Sequence, residues 1–275
     1  MRSGVRQIGF ALMVLCAIGT SHKLAAQTPE PDQTPPAASA PSAPPPPPTP
    51  SLDRPVSWKL LFPNLLDDQK RIWTFPAKLV EGKDWIPTAA VLGATAALVA
   101  LDPAEAGYFR RTSSFQGFNN VFSSNATMVG TIVAPVSLYA IGLIRKDSKM
   151  TRTALLAGEA VGDAEILTTV LKDTTSRRRP SGIPPTGNFS DSWFESAPKL
   201  NGTGSFPSGH TITAFAVATV IARRYGNHRW IPYAAYGAAA LVGFSRLTLS
   251  AHFTSDVFMG AALGYSISRF TVLRE

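Results

Sequence analysis

The chain has 275 residues, enough for one domain with a sizeable core plus extensions. Its single cysteine, Cys16, sits in an N-terminal apolar run, which excludes a disulfide framework, a thiolate metal site and thiol redox chemistry elsewhere. Lys and Arg outnumber Asp and Glu by 26 to 18, and the formal net charge of +8 favours anionic partners.

Residues 1–26 read as a signal peptide. Arg2 and Arg6 give a charged start, Ile8 to Ile18 an apolar run shorter than a membrane span, and Leu24-Ala25-Ala26 a small-residue cleavage site. Residues 27–55 are dominated by Pro, Ala, Ser and Thr, including the run Pro44 to Pro48; they cannot bury a core and read as a disordered, extended tether. Residues 56–85 mix Leu60, Leu61, Phe62, Trp73 and Phe75 with Asp67, Asp68, Lys70 and Arg71. This amphipathic segment either lies on a membrane surface or packs on the rest of the fold.

Residues 86–275 contain six apolar stretches, near 86–101, 127–144, 153–172, 209–224, 230–246 and 252–270. Ala, Leu and Val dominate them and strand alternation is absent, so all six read as helices and the fold as an all-α bundle. Pro135 is expected to kink the second. Glu159 and Asp163 share a face of the third and are expected to pair with cations of the bundle. Basic residues gather between helices two and three (Arg145, Lys146, Lys149, Arg152) and between four and five (Arg223, Arg224, Arg229), which turns the opposite helix ends outward if the helices span. Six spans after a cleaved signal would place those ends inside instead. Sequence therefore leaves spanning open, and the expectation is an exported, membrane-associated envelope protein with its site on the periplasmic or external side.

The residues suited to chemistry fall at one set of helix ends. Lys172 closes the third helix, Gly209-His210 opens the fourth, Ser245-Arg246 closes the fifth and His252 opens the sixth. Lys172, Arg179 and Arg246 can neutralise a phosphate dianion without a metal, the guanidinium groups as planar forks and the ammonium as a point charge. Ser208 offers a hydroxyl, and Gly209 a backbone N–H at a helix N-terminus. His252 and Asp256, at i and i+4, are expected to share a helix face, so that the carboxylate holds one ring nitrogen and leaves the other free to attack. No other His, Asp and Glu grouping has metal-ligand spacing, and neither a metal nor an organic cofactor is expected.

Six residues separate Lys172 from Arg179-Pro180, then comes Pro207-Ser208-Gly209-His210, then Ser245-Arg246 with five residues to His252 and three more to Asp256. In order and spacing this resembles the type 2 phosphatidic acid phosphatase and vanadium haloperoxidase superfamily, whose motifs read K-x6-RP, PSGH and SR-x5-H-x3-D. The resemblance covers 172–256 directly and implies a bundle with its active site at one pole. It also implies a metal-independent phosphatase acting on a lipid phosphate or diphosphate. In that scheme His252 forms a phosphohistidine, Asp256 orients it, and His210 protonates the leaving oxygen and then activates water. The same ligands would serve a soluble broad-specificity periplasmic acid phosphatase, or a vanadate-dependent haloperoxidase, the one alternative with vanadate as cofactor. A phosphate-binding protein with a vestigial site has no need of both His210 and the His252–Asp256 pair. The expected partners are a lipid phosphate or other phosphomonoester and a membrane, not nucleic acid; oligomeric state is not legible.

Between the first two motifs, Phe189, Trp193 and Phe194 either accept a lipid chain or cap the bundle. Arg177 and Arg178 read as exposed neighbours of Arg179, and His228 as a solvated loop residue.

Overall fold

The computed structural model of the chain describes residues 54–195 and 201–274; the expected signal peptide, 1–26, and residues 27–53 of the tether lie outside them. The described residues form eight α-helices and no strand: α1 (Leu61–Val80), α2 (Trp85–Arg111), α3 (Gln116–Val121), α4 (Ser124–Ile144), α5 (Ser148–Thr175), α6 (Gly209–Arg224), α7 (Trp230–Thr248) and α8 (Thr254–Ser266). The six expected helices are α2 and α4 to α8, while α1 and α3 are additional. α5 starts earlier than its apolar pattern because the Asp147 carboxylate caps it, accepting from the N–H groups of Lys149 (2.8 Å) and Met150 (3.1 Å). α2 continues through Asp102-Pro103 instead of ending at 101, and α4 runs on through Pro135.

The core is centred on α6, which packs against α5, α7 and α8. Ile212, Ala216 and Val220 are sealed against Leu156, Ala160 and Ala164 of α5 and against Ile267 and Val272 beyond α8. Burying each large aliphatic side chain here contributes about 1.5–3 kcal/mol. Two glycines let α8 approach so closely. A Cβ on Gly260 would stand 2.8 Å from the Ser208 carbonyl oxygen, and one on Gly264 would overlap the Ile212 carbonyl.

The N-terminal helices are built the other way round. In α1 the buried side chain is Asp68, while Phe62 and Leu66 are 69% and 57% exposed. Arg54 donates to Asp68 (2.6 Å) and Glu159 (2.7 Å), Asn64 donates to Glu159 (2.7 Å) and Gln69 to Asp163 (2.8 Å). The helix thus packs on α5 through these polar side chains together with Leu65 and Ile72, and turns Phe62 and Leu66 outward. Arg54, placed in the tether by composition, belongs to the folded unit because two buried carboxylates need its charge. It is the cation that Glu159 was expected to find, whereas Asp163 meets an amide. α2 and α4 are each long and apolar enough to cross a membrane.

Candidate active site

Lys172 lies in the last turn of α5, Ser208 precedes the first residue of α6, Arg246 lies in the last turn of α7 and Asp256 in the first turn of α8. Their charges reach one another. Arg179 depresses the pKa of Lys172, His252 and Arg246, and Arg246 depresses that of His210. Sequence separations of up to 84 residues are therefore closed at one pole of the bundle.

Three cations gather there, and none of them forms an ion pair among the described residues. Burial, reinforced by Arg179, pushes the Lys172 ammonium down to about 8, and the same two causes take Arg246 to about 10. Burial also lowers Arg179, against the pull of Asp256. The Lys172 ammonium sits against Gly209, where a Cβ would come within 3.3 Å of it, so glycine keeps the anion site open. Arg246 is fixed by the Phe122 carbonyl (2.8 Å), the Ser124 hydroxyl (3.1 Å) and the Ser245 hydroxyl (2.6 Å). Arg179 touches the Thr203 carbonyl at 3.3 Å. The buried Ser208 hydroxyl accepts from Thr211 (2.8 Å), which leaves its own proton to donate. A bound dianion would reverse these shifts, since they arise from like charge and lost water.

His252 differs from its expected setting. It lies in the loop before α8 rather than on the helix, so the i, i+4 helical argument does not describe it. Its Nδ1 is 2.7 Å from the backbone carbonyl oxygen of Ser205 and 3.5 Å from Asp256 Oδ2. A carbonyl only accepts, so Nδ1 carries the proton and Nε2 keeps the lone pair. Asp256 stands one step back, accepting from the Ser205 hydroxyl (2.5 Å) and from the Phe253 N–H (2.9 Å), the latter also closing the first turn of α8. Burial pushes the imidazole down to about 4, Arg179 and Lys172 adding to this and Asp256 opposing it, so the ring is neutral at pH 7. Burial would raise the Asp256 carboxyl, but His252 and the Arg177 charge outweigh it and hold it below the ordinary range.

His210, half-buried in the first turn of α6, has Nε2 at 3.2 Å from the Ser124 carbonyl oxygen. That acceptor makes Nε2 the N–H and leaves Nδ1 to gain or lose a proton. Burial and the Arg246 charge push this imidazole down to about 4 as well.

Other expectations are corrected. Arg177 is not exposed but 2% accessible, bound to Asp102 (2.7 Å) and Asp256 (2.6 Å). Arg178 is the outward one, paired with Glu195 at 2.6 Å. Phe189 is buried against Ala106, Ile183 and Phe253, and the Trp193 ring covers Arg177 and Phe206, so both cap the bundle; of the three loop aromatics only Phe194, 74% exposed, is free to meet a ligand. A cavity of about 330 Å³ opens beside Lys172 and Arg179, rimmed by Arg178, Glu195 and Thr203. Ser205, Ser124, Arg177 and Asp102 escaped the sequence reading. Only Asp102 left a signal, as the first charge after an apolar run from Ile86.

An all-α bundle with an oxyanion pocket of three cations, a neutral buried histidine with a free Nε2 and a second histidine beside it defines the class of site. Residues 153–274 match the model of the PAP2 superfamily, and this segment carries all three motifs. Lipid A 1-phosphatase of Porphyromonas gingivalis is 44% identical over 68 residues, 24% of this chain and 15% of that protein. Phosphatidylglycerophosphatase B of Bacillus subtilis is 34% identical over 124 residues, 42% of this chain and 55% of that one. The chain thus spans less than two thirds of the length of either curated relative. The crystal structure of a transmembrane PAP2 type phosphatidylglycerolphosphate phosphatase from Bacillus subtilis aligns over 77% of this chain and 92% of its own at 22% identity, with a TM-score of 0.39.

Proposed function

We propose that the protein is a phosphatase that hydrolyses a lipid phosphate or diphosphate through a phosphohistidine on His252. The observation that carries this reading is the hydrogen bond from His252 Nδ1–H to the Ser205 carbonyl, which leaves Nε2 as a lone pair beside Lys172 and Arg179. Phosphoryl transfer needs positioning and charge neutralisation more than covalent help, and three cations supply it without a metal. The Nε2 lone pair attacks phosphorus in line, the bond to the leaving oxygen breaks, and that oxygen takes the electron pair and a proton from His210, which gains it at Nδ1 when the bound dianion offsets the burial and Arg246 charge that keep the ring neutral in the empty site. Water, losing a proton to His210, then attacks phosphorus; the P–N bond breaks and its electron pair returns to Nε2.

A lipid substrate is supported by the names of the curated relatives, both of enzymes acting on phosphorylated lipids. The outward apolar faces of α1, α2 and α4 point the same way, because they suit a protein held at a membrane. The site belongs on the external side of an envelope membrane in this reading. Purified full-length protein in detergent, given phosphatidic acid or p-nitrophenyl phosphate with a chelator present, should turn over both. Acid-labile phosphate should be trapped on the wild type and not on His252→Ala. Activity that disappears with the chelator, or labelling that survives the substitution, overturns the reading.

A further inference from the structure

Arg177 lies at the centre of a buried assembly that the phosphoryl-transfer scheme does not use. Its guanidinium is clamped between the Phe253 ring (3.8 Å) and the Trp193 ring (4.1 Å). Nη1 donates to Asp256 Oδ1 (2.6 Å) and Ser255 Oγ (2.7 Å), Nη2 to Asp102 Oδ2 (2.7 Å) and Nε to Ser192 Oγ (3.3 Å). Asp102 is itself held by the N–H (3.1 Å) and hydroxyl (2.5 Å) of Ser255. The Arg177 backbone carbonyl accepts from the Ser205 N–H at 2.7 Å. Arg177 therefore controls both groups that face His252 Nδ1, Asp256 through its side chain and the Ser205 peptide through its backbone.

Stability alone gives little reason for this arrangement. Two carboxylates and a guanidinium pay a desolvation penalty that their mutual attraction repays only with full hydrogen bonding, and apolar residues of similar volume often do as well. Geometry gives a better one. With Oδ1 fixed by Arg177 and Oδ2 by Ser205 and Phe253, the Asp256 carboxylate cannot swing in to displace the Ser205 carbonyl from Nδ1, and the ring keeps Nε2 as its free nitrogen. The second carboxylate leaves the Asp–Arg–Asp chain with one net negative charge, which suits a histidine that becomes cationic when phosphorylated. Asp102 comes from α2, outside residues 153–274.

We propose that Arg177 and Asp102 are positioning residues for phosphoryl transfer: Asp102 anchors Arg177 from α2, and Arg177 holds Asp256 and Ser205 so that His252 presents Nε2. This rests on His252 being the nucleophile, and the test separates the two. Full-length wild type, His252→Ala, Arg177→Lys and Asp102→Asn are compared in detergent with radiolabelled p-nitrophenyl phosphate by rapid acid quench. Both the rate of phosphoenzyme formation and the fraction of protein that becomes labelled are read. Arg177→Lys should slow formation roughly 100-fold and the isosteric Asp102→Asn about tenfold, with KM and the labelled fraction near wild type, since misaimed reactants lose rate without losing binding. Wild-type formation rates in both variants overturn the proposal while leaving the nucleophile intact. So does a loss of activity fully matched by a smaller labelled fraction, which assigns the assembly to folding alone. Labelling that persists in His252→Ala overturns the nucleophile and the proposal with it.

Discussion

Ile212 and Val220 of α6 are sealed from solvent, whereas Ile132 and Val136 of α4 are 51% and 62% exposed, although α4 is the more apolar helix. α1 carries the contrast further, with Asp68 inside and Phe62 outside. Across α6 to α8 apolar side chains make the core, and the buried charges, Arg246 and Asp256, lie at the pole. In the N-terminal half many apolar side chains face out, and α1 makes its contact largely through charged and amide groups. The first pattern is favourable in water, while the second leaves outward surface that gains only if something other than water covers it. One chain thus presents two kinds of surface, and the candidate site sits at one pole of the core.

The contrast can be broken most severely at the α6–α8 seam. Gly264→Val puts a branched side chain onto the Ile212 carbonyl and should cost about 3 kcal/mol or more, seen as a large drop in the thermal midpoint by circular dichroism. A midpoint near wild type would mean that the seam is not closely packed. Ile212→Ala should cost about 2–5 kcal/mol, while Val136→Ala in detergent should stay within about 0.5 kcal/mol. Equal costs would erase the difference between the halves. Val136→Arg sharpens it from the other side, since a charge at the middle of a span costs about 2.5–3.5 kcal/mol of insertion. Membrane recovery should fall while turnover of the detergent-purified fraction is unchanged; full recovery would show that α4 does not face lipid.

Within the site, kcat/KM for p-nitrophenyl phosphate should follow a bell in pH. His252 is neutral and able to attack only above its pKa of about 4, and Lys172 keeps its charge only below about 8. Once the substrate's own second ionisation, about 6, is divided out, the rate should fall tenfold per pH unit beyond either limb. Lys172→Arg should carry the basic limb upward, because a guanidinium does not deprotonate there; an unmoved limb assigns it to another group. The smallest effect is expected at the loop. Phe194→Ala should raise KM for a long-chain phosphatidic acid about fivefold, near 1 kcal/mol, and leave p-nitrophenyl phosphate unchanged. Trp193→Ala should slow both substrates, because its ring supports Arg177.

Lys172, Arg179, Ser208, Gly209, His210, Arg246, His252 and Asp256 could be named from the sequence as candidates because three motifs with fixed internal spacing resemble those of a known superfamily, and periodicity placed most of them near helix ends. The all-α class followed from the same periodicity. Tertiary structure alone decided which side of each apolar helix faces inward. α2 and α4 are apolar around most of their circumference, and for such helices periodicity points nowhere. It also decided the partner of His252. The i, i+4 spacing pointed to Asp256, which does lie 3.5 Å from Nδ1, but the loop before α8 brings Nδ1 closer still, 2.7 Å, to the Ser205 carbonyl, and a backbone oxygen carries no side-chain signature that a sequence could display. Arg177 looked like one more surface charge in a basic run. It is buried because two carboxylates distant along the chain, Asp102 and Asp256, converge on it, and whether a charge can leave water depends on partners that only the folded chain brings together.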